Sequence, residues 1–363
     1  MTAPSTVGRR SRRRLRPSTI IVLSSLLLLL LVAVIVSAAI GAAGIPPTRL
    51  LALVGLTSLD PATFARDHLV LWSIRLPRIA LAAMIGALLA VSGAMMQGLF
   101  RNPLADPAMV GVSSGAAFAA ALTIVIVDRF ATAGGPLSLG ALSLGLLPVT
   151  ALIGALITTA ALYRLATRHG RTSIAVFLLG GLAIAALTNA GIGFLVFMAD
   201  DRQLRDITFW MLGSLAGATW QKVAIVAPFL VLTAAGMPLI ARGLDLLALG
   251  EAEAFHMGIA VERLKQIAIL LVAIAVGAAV AFCGVVGFVG IVVPHLLRLA
   301  IGPSHRLLLP ASMLLGAAMM LAADSVARTI AAPAELPIGI VTAIVGAPFF
   351  LALLLRQRNL VSA

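Results

Sequence analysis

The chain has 363 residues, of which 61% are hydrophobic and 11% charged, with a mean hydropathy of +1.13; soluble domains run near ~45–50% apolar and ~25% charged. That balance excludes a soluble enzyme and identifies an integral membrane protein. A net charge of +13 would suit nucleic acid in a soluble protein, but six arginines within residues 9–16 supply nearly half of it, and here it reads as membrane topology.

In chain order, residues 1–17 read as a basic cytoplasmic tail that anchors to anionic lipid. Uncharged runs follow at 17–48, 79–100, 107–127, 130–163, 172–199, 223–241, 266–294, 307–323 and 336–355. A spanning helix needs about 20 apolar residues, so each run is a candidate crossing; a cleaved signal peptide is the alternative for the first. Loops rich in Lys and Arg stay cytoplasmic. Alternating sides from the arginine tail puts Arg101, the 164–171 cluster and the charged stretch 242–265 inside. Arg298, His305 and Arg306 also read as inside, as do Arg356 and Arg358.

An even number of crossings must then lie between Lys265 and Arg298. The 32 intervening residues reach about 48 Å as helix, against ~60 Å for two full spans. One crossing there is short or broken, and the total is ten. On that count seventeen of the 26 lysines and arginines lie inside. Trp72, Trp210 and Trp220 all fall outside, as an interfacial belt would place them.

Two stretches interrupt apolar runs with Gly and Pro: QGLFRNPLADPAMVGVSSG at 97–115 and GVVGFVGIVVPHLLR at 284–298. Irregular backbone at membrane depth survives only where protein or a water-filled cavity covers it. Paired interruptions in two halves point to an internal repeat with a pathway between them; ordinary kinks and small-residue packing are the alternative. The stretch DDRQLRDITFWMLGSLAG at 200–217 reads as a short amphipathic helix, either at the outer mouth or simply interfacial.

The catalytic repertoire is thin. The only lysines are Lys222 and Lys265, and neither follows a Gly-rich phosphate loop, so the chain has no P-loop of its own. His68, His169, His256, His295 and His305 are scattered and read as interfacial residues in loops or at span ends. Asp324 and Glu335 are the few acids near membrane depth, and their scarcity argues against an ion-coupled secondary transporter, which buries such relays. Against this background the polar island 242–266, RGLDLLALGEAEAFHMGIAVERLKQ, stands out as a water-facing patch that touches a partner.

The motifs RLPR (75–78), SGAMMQGLFRNPLADP (92–107), GVSSGA (111–116), LALGE (247–251), GFVGIVVPHLLR (287–298), HRLLLP (305–310) and ELPIGIVTAIVGAPFF (335–350) together resemble the permease subunits of the FecCD/BtuC family of type II ABC importers, which carry iron–siderophores, haem or vitamin B12. The resemblance covers about residues 20–356. It implies an all-α, ten-helix, BtuC-like membrane domain over residues 18–358, an inverted repeat with short or broken helices, and a tail at 359–363. It also implies a homodimer with two ATP-binding cassette subunits and a periplasmic binding protein, in a bacterial inner membrane with both termini cytoplasmic. This chain would bind no cofactor and no nucleic acid; Mg-ATP would sit on the ATPase.

By the same resemblance the loop about 242–266 is the coupling element, with Gly250, Glu251, Glu253, Ala254 and Gly258 at or near the ATPase. Arg75, Arg78 and Arg328 would meet carboxylates of the binding protein; local pairing with Asp324 is the alternative for Arg328. Asn102, Leu104, Thr172 and Ser173 would form the cytoplasmic gate, helix capping being the alternative for the last two. The stretch 200–217 looks most like the haem-importing branch, with ferric siderophore and then corrinoid as alternatives. A secondary transporter working alone, and a scaffold using the tail, remain readings of other classes.

Overall fold

The computed structural model describes residues 18–40, 46, 49, 60–132, 139–332 and 334–361; the expected basic tail 1–17 lies outside them. Helix α1 (Thr19–Ala39) is followed by α2 (Pro61–Leu69), which passes through a π-helical turn, Val70–Arg75, into α3 (Leu76–Leu99). After a 3-10 turn, Pro107–Val110, come α4 (Val112–Thr132), α5 (Leu139–Ala166), a hairpin of β1 (Thr167–Arg168) and β2 (Arg171–Thr172), α6 (Ile174–Met198) and α7 (Asp201–Leu212). Then follow α8 (Trp220–Leu247), α9 (Glu251–His256), α10 (Val261–Cys283), α11 (Val289–Ile301), α12 (His305–Ile330) and α13 (Ile338–Val361). Among the described residues, eight stretches are long and apolar enough to cross a bilayer, and the shorter apolar helices Val112–Ile126 and Val289–Ile301 bring the number to ten. The all-α, ten-crossing architecture expected from the charge pattern is therefore the one observed.

The crossing hidden between Lys265 and Arg298 is α11. Helix α10 makes a full span and stops at Cys283, where Gly284 adopts φ +75° against the Trp210 carbonyl, a position with no room for a side chain. After the break, α11 has 13 residues, about 20 Å of helix and so only part of a bilayer. The Cys283 carbonyl freed at the break accepts from Ser214 N–H at 2.8 Å, and the Gly213 carbonyl at the end of α7 accepts from Ile338 N–H at 3.0 Å. That cover by the end of α7 and the start of α13 is what permits irregular backbone there. Helix α7 itself forms where the amphipathic pattern indicates, started by a capping box between Asp200 and Gln203.

Helix α3 is the most enclosed crossing, and its Gly and Ala positions let two other helices approach closely. Gly86 lies against Gly316 of α12, and Gly93 against Gly290 of α11. The side-chain amide of Gln97 donates to the carbonyls of Gly290 and Ile291 at 3.4 Å each. The two interrupted stretches read from sequence thus adjoin in the core.

Several boundaries differ from the uncharged runs, and two of them bear on the site. The second crossing starts at Pro61, not near 79, because Asp60 caps Thr63 N–H and proline suits the first turn; Arg75 and Arg78 therefore sit on one continuous helical rod. The expected break at Asp128–Arg129 lies inside α4, which ends at Thr132: charge alone does not terminate a helix.

Candidate functional site

The polar island forms a helix–turn–helix at one end of the bundle. Gly250 (φ +136°) and Gly258 (φ +84°) bracket α9, so the chain reverses on either side of six helical residues. The side chain of Ala254 is buried against the bundle. Glu253 folds its carboxylate back over Gly250, in space a Cβ would fill. Leu249, Phe255 and Met257 are instead exposed, Phe255 at 68%. Apolar side chains at a strongly charged end of a membrane protein lack a lipid to face, so this outward surface fits a protein partner.

Beneath α9 lies a lysine that the sequence marked only as rare. Lys265, on the first turns of α10, is 2% exposed. Its Nζ donates to Glu251 at 2.8 Å, to Glu262 at 3.0 Å and to the Thr172 carbonyl at 3.1 Å. The other oxygen of Glu262 accepts from Thr172 N–H at 2.9 Å. Glu251 and Thr172, expected in the coupling and gate regions respectively, are thus brought together.

Ser173 caps α6, its hydroxyl accepting from Val176 N–H at 3.4 Å, so the capping alternative describes its local role. Asn102 and Leu104 form a tight turn after α3, Leu104 N–H donating to Asn102 Oδ1 at 3.0 Å. The two expected gate segments adjoin through Phe100 and Phe177, whose rings lie 6.0 Å apart in the core; no polar signal in the sequence marked that pair.

A second junction at this end is centred on His305. The histidine is buried, not interfacial, because its ring lies against Gly98, where only a glycine leaves space. Its backbone N–H and ring Nδ1 both lie 2.7 Å from Asp245 Oδ1, and its Nε2 lies 3.2 Å from Arg298. Arginine offers only donors, so Nε2 accepts and Nδ1 carries the proton given to Asp245. His295 is buried as well, inside α11, with its ring edge-on to Phe349.

At the opposite end, the three arginines expected to meet a binding protein are buried and turned onto the chain itself. Arg78 Nε donates to Asp324 at 2.9 Å, and its NH1 donates to both oxygens of Glu335 at 2.8 and 2.9 Å. Arg328 forms the i,i+4 ion pair with Asp324 at 2.9 Å and donates to the carbonyls of Ile40 and Ser37. Arg75 donates to the carbonyls of Ala38 and Ala39. A helix leaves its last four carbonyls without partners, and Arg75 and Arg328 supply donors to Ser37, Ala38 and Ala39 at the end of α1 and to its cap, Ile40.

Comparison with known proteins agrees with this architecture. The description of the FecCD transport family matches residues 29–356. The chain is 44% identical over 324 residues to the hemin transport system permease protein HmuU of Yersinia pestis, covering 85% of this chain and 94% of that one. It is 43% identical over 292 residues to the cobalamin import system permease protein BtuC of Halobacterium salinarum, covering 80% and 74%. A solved structure described as an inward-facing conformation of a metal-chelate type ABC transporter superposes with a TM-score of 0.79 at 33% identity, over 93% of this chain and 99% of the other. The chain belongs to the FecCD transport family, as an integral membrane permease subunit of an ABC importer.

Proposed function

We propose that this permease imports haem, receiving it from a periplasmic binding protein and releasing it to the cytoplasm by alternating access driven by a partner ATPase. The observation that carries the reading is the 44% identity to a hemin permease across 94% of that protein. The stretch 200–217, which folds as α7 over the break after α10, adds to it. A corrinoid substrate is the second reading, favoured by the 43% identity to a cobalamin permease. The deciding experiment reconstitutes the permease with its ATPase in liposomes and measures ATP-dependent uptake. Haem-loaded binding protein is expected to stimulate uptake at least tenfold over an empty one; stimulation by a corrinoid- or siderophore-loaded protein alone overturns the haem assignment.

The working unit in this reading is a homodimer with two ATPase subunits in a bacterial inner membrane, with both termini cytoplasmic. Support for the ATPase contact comes from the exposed apolar residues of α9 and from the absence of a P-loop in the sequence. Asn102, Leu104, Thr172 and Ser173 would close the pathway on that side, their segments already meeting through Phe100 and Phe177.

Binding-protein docking at Arg75, Arg78 and Arg328 takes a specific form. Glu335, whose side chain is 43% exposed, occupies the Arg78 NH1 that a partner carboxylate would take. Glu335→Gln removes that competing charge and is expected to tighten binding-protein association severalfold at low salt, the regime in which rim charges steer encounter. Affinity unchanged from 20 mM to 500 mM salt, as read by surface plasmon resonance, argues Arg78 out of the docking surface.

A further inference from the structure

We propose that Lys265 is a positioning residue that joins α9 to the first turn of α6, so that displacement of α9 moves the proposed gate segment directly. The proposal rests on the reading that α9 receives the ATPase. Its own support is the geometry beneath that helix.

A lysine is almost never fully buried unless paired, and the three donors of this one are all taken. They reach three separate elements: Glu251 on the first turn of α9, Glu262 on the first turn of α10, and the carbonyl of Thr172 on β2. The peptides of Thr172 are held on both sides, since its N–H donates to Glu262 while its C=O accepts from Lys265. The next residue, Ser173, caps α6. Two bonds therefore separate the backbone that starts α6 from a side chain on α9.

Between the hairpin and α9 lies an open groove of about 800 Å³, lined among others by His169, Arg171, Phe255 and Glu262, with Lys265 at its floor. The ionic junction bridges that groove. An ammonium is a compact charge with three rotatable donors, whereas a guanidinium is a planar fork, so arginine does not reproduce three acceptors on three elements.

The test uses the permease reconstituted with its ATPase and binding protein. Lys265→Met keeps the side-chain length and removes all three bonds. The ATPase is expected to remain associated and to hydrolyse ATP, while substrate imported per ATP falls at least tenfold; Lys265→Arg recovers only part of it. A pair of spin labels at Ala252 and His169 is expected to give one narrow distance distribution in the parent protein and a broad one in Lys265→Met. A purely structural lysine would lower the amount of folded protein without splitting hydrolysis from uptake. Should Lys265→Met fail to accumulate, Glu262→Met, at a partly exposed side chain, removes both acceptor oxygens and so releases the Thr172 N–H, and is expected to lower import per ATP at least threefold. Import per ATP within twofold of the parent in the variant that accumulates overturns the joint.

The socket reading is separated by Phe255→Asp on the outward side of α9. Loss of ATPase association there, with unchanged import per ATP in the lysine variant, overturns the joint and keeps the socket. Retained association in Phe255→Asp overturns both.

Discussion

Gly93→Ala is expected to abolish folded protein in the membrane. A Cβ at Gly93 would lie 2.5 Å from the Gly290 Cα and closer still to that residue's carbonyl. The obstacle is backbone on α11, which is itself pinned by Gln97 and by Pro107. Overpacking a core costs roughly 1–3 kcal/mol when side chains can shift; here no side chain is available to shift, so the cost exceeds that range. Gly287→Ala is the matched control: it lies in the interrupted stretch that carries Gly290, but a Cβ there meets nothing within 4 Å, and its effect is expected to be near neutral. Size-exclusion profiles and thermal unfolding in detergent check both. A Gly93→Ala protein that unfolds at the parent temperature would sink this account of how the two interrupted stretches are joined.

That junction was half visible in the sequence. Glycine and proline at membrane depth announce irregular backbone, and the distance between Lys265 and Arg298 forces a shortened crossing, so the existence of α11 follows from arithmetic on helix rise. Which glycine faces which does not follow, because Gly93 and Gly290 are far apart in sequence and a glycine has no side-chain character to match. The amphipathic α7 was legible for the opposite reason: its pattern is local, as is the Asp200–Gln203 capping box that the structure adds at its start.

Charge located the crossings but not the partners of single side chains. In a greasy chain every arginine draws attention as a contact for something outside, and the sequence offers no view of partners 246 or 257 residues away, as for Arg78 with Asp324 and Glu335. The same blindness hid Lys265 and His305. Both looked like ordinary polar residues at span ends, and both are buried where several elements converge. What could have flagged them is position: one of only two lysines, set among the acids of the charged stretch, and a histidine that opens a helix rich in apolar residues.

Asp324→Asn is expected to be the most damaging single loss of charge in the protein. The carboxylate of Asp324 is completely buried and lies 2.9 Å from both Arg78 and Arg328. Neutralising it leaves two buried guanidiniums facing each other with only Glu335 in reach of Arg78, and breaking a buried pair in this way costs roughly 3–5 kcal/mol. The damage spreads to α1, because Arg328 holds the carbonyls of Ser37 and Ile40 and its orientation depends on Asp324. Arg75→Ala removes bonds to Ala38 and Ala39 while leaving that ion pair standing, and is expected to cost about 1–3 kcal/mol. Unfolding titrations in detergent, with a fluorophore on α1, rank the two; Asp324→Asn at parent stability would refute the cluster. The ranking also decides how docking is tested. Charge reversal at Arg78 would place a carboxylate beside Asp324 and Glu335 and collapse this end of the bundle, so lost binding after reversal reports on folding. Glu335→Gln perturbs the same guanidinium from its exposed side and leaves Asp324 paired, which makes it the variant whose binding data speak to docking.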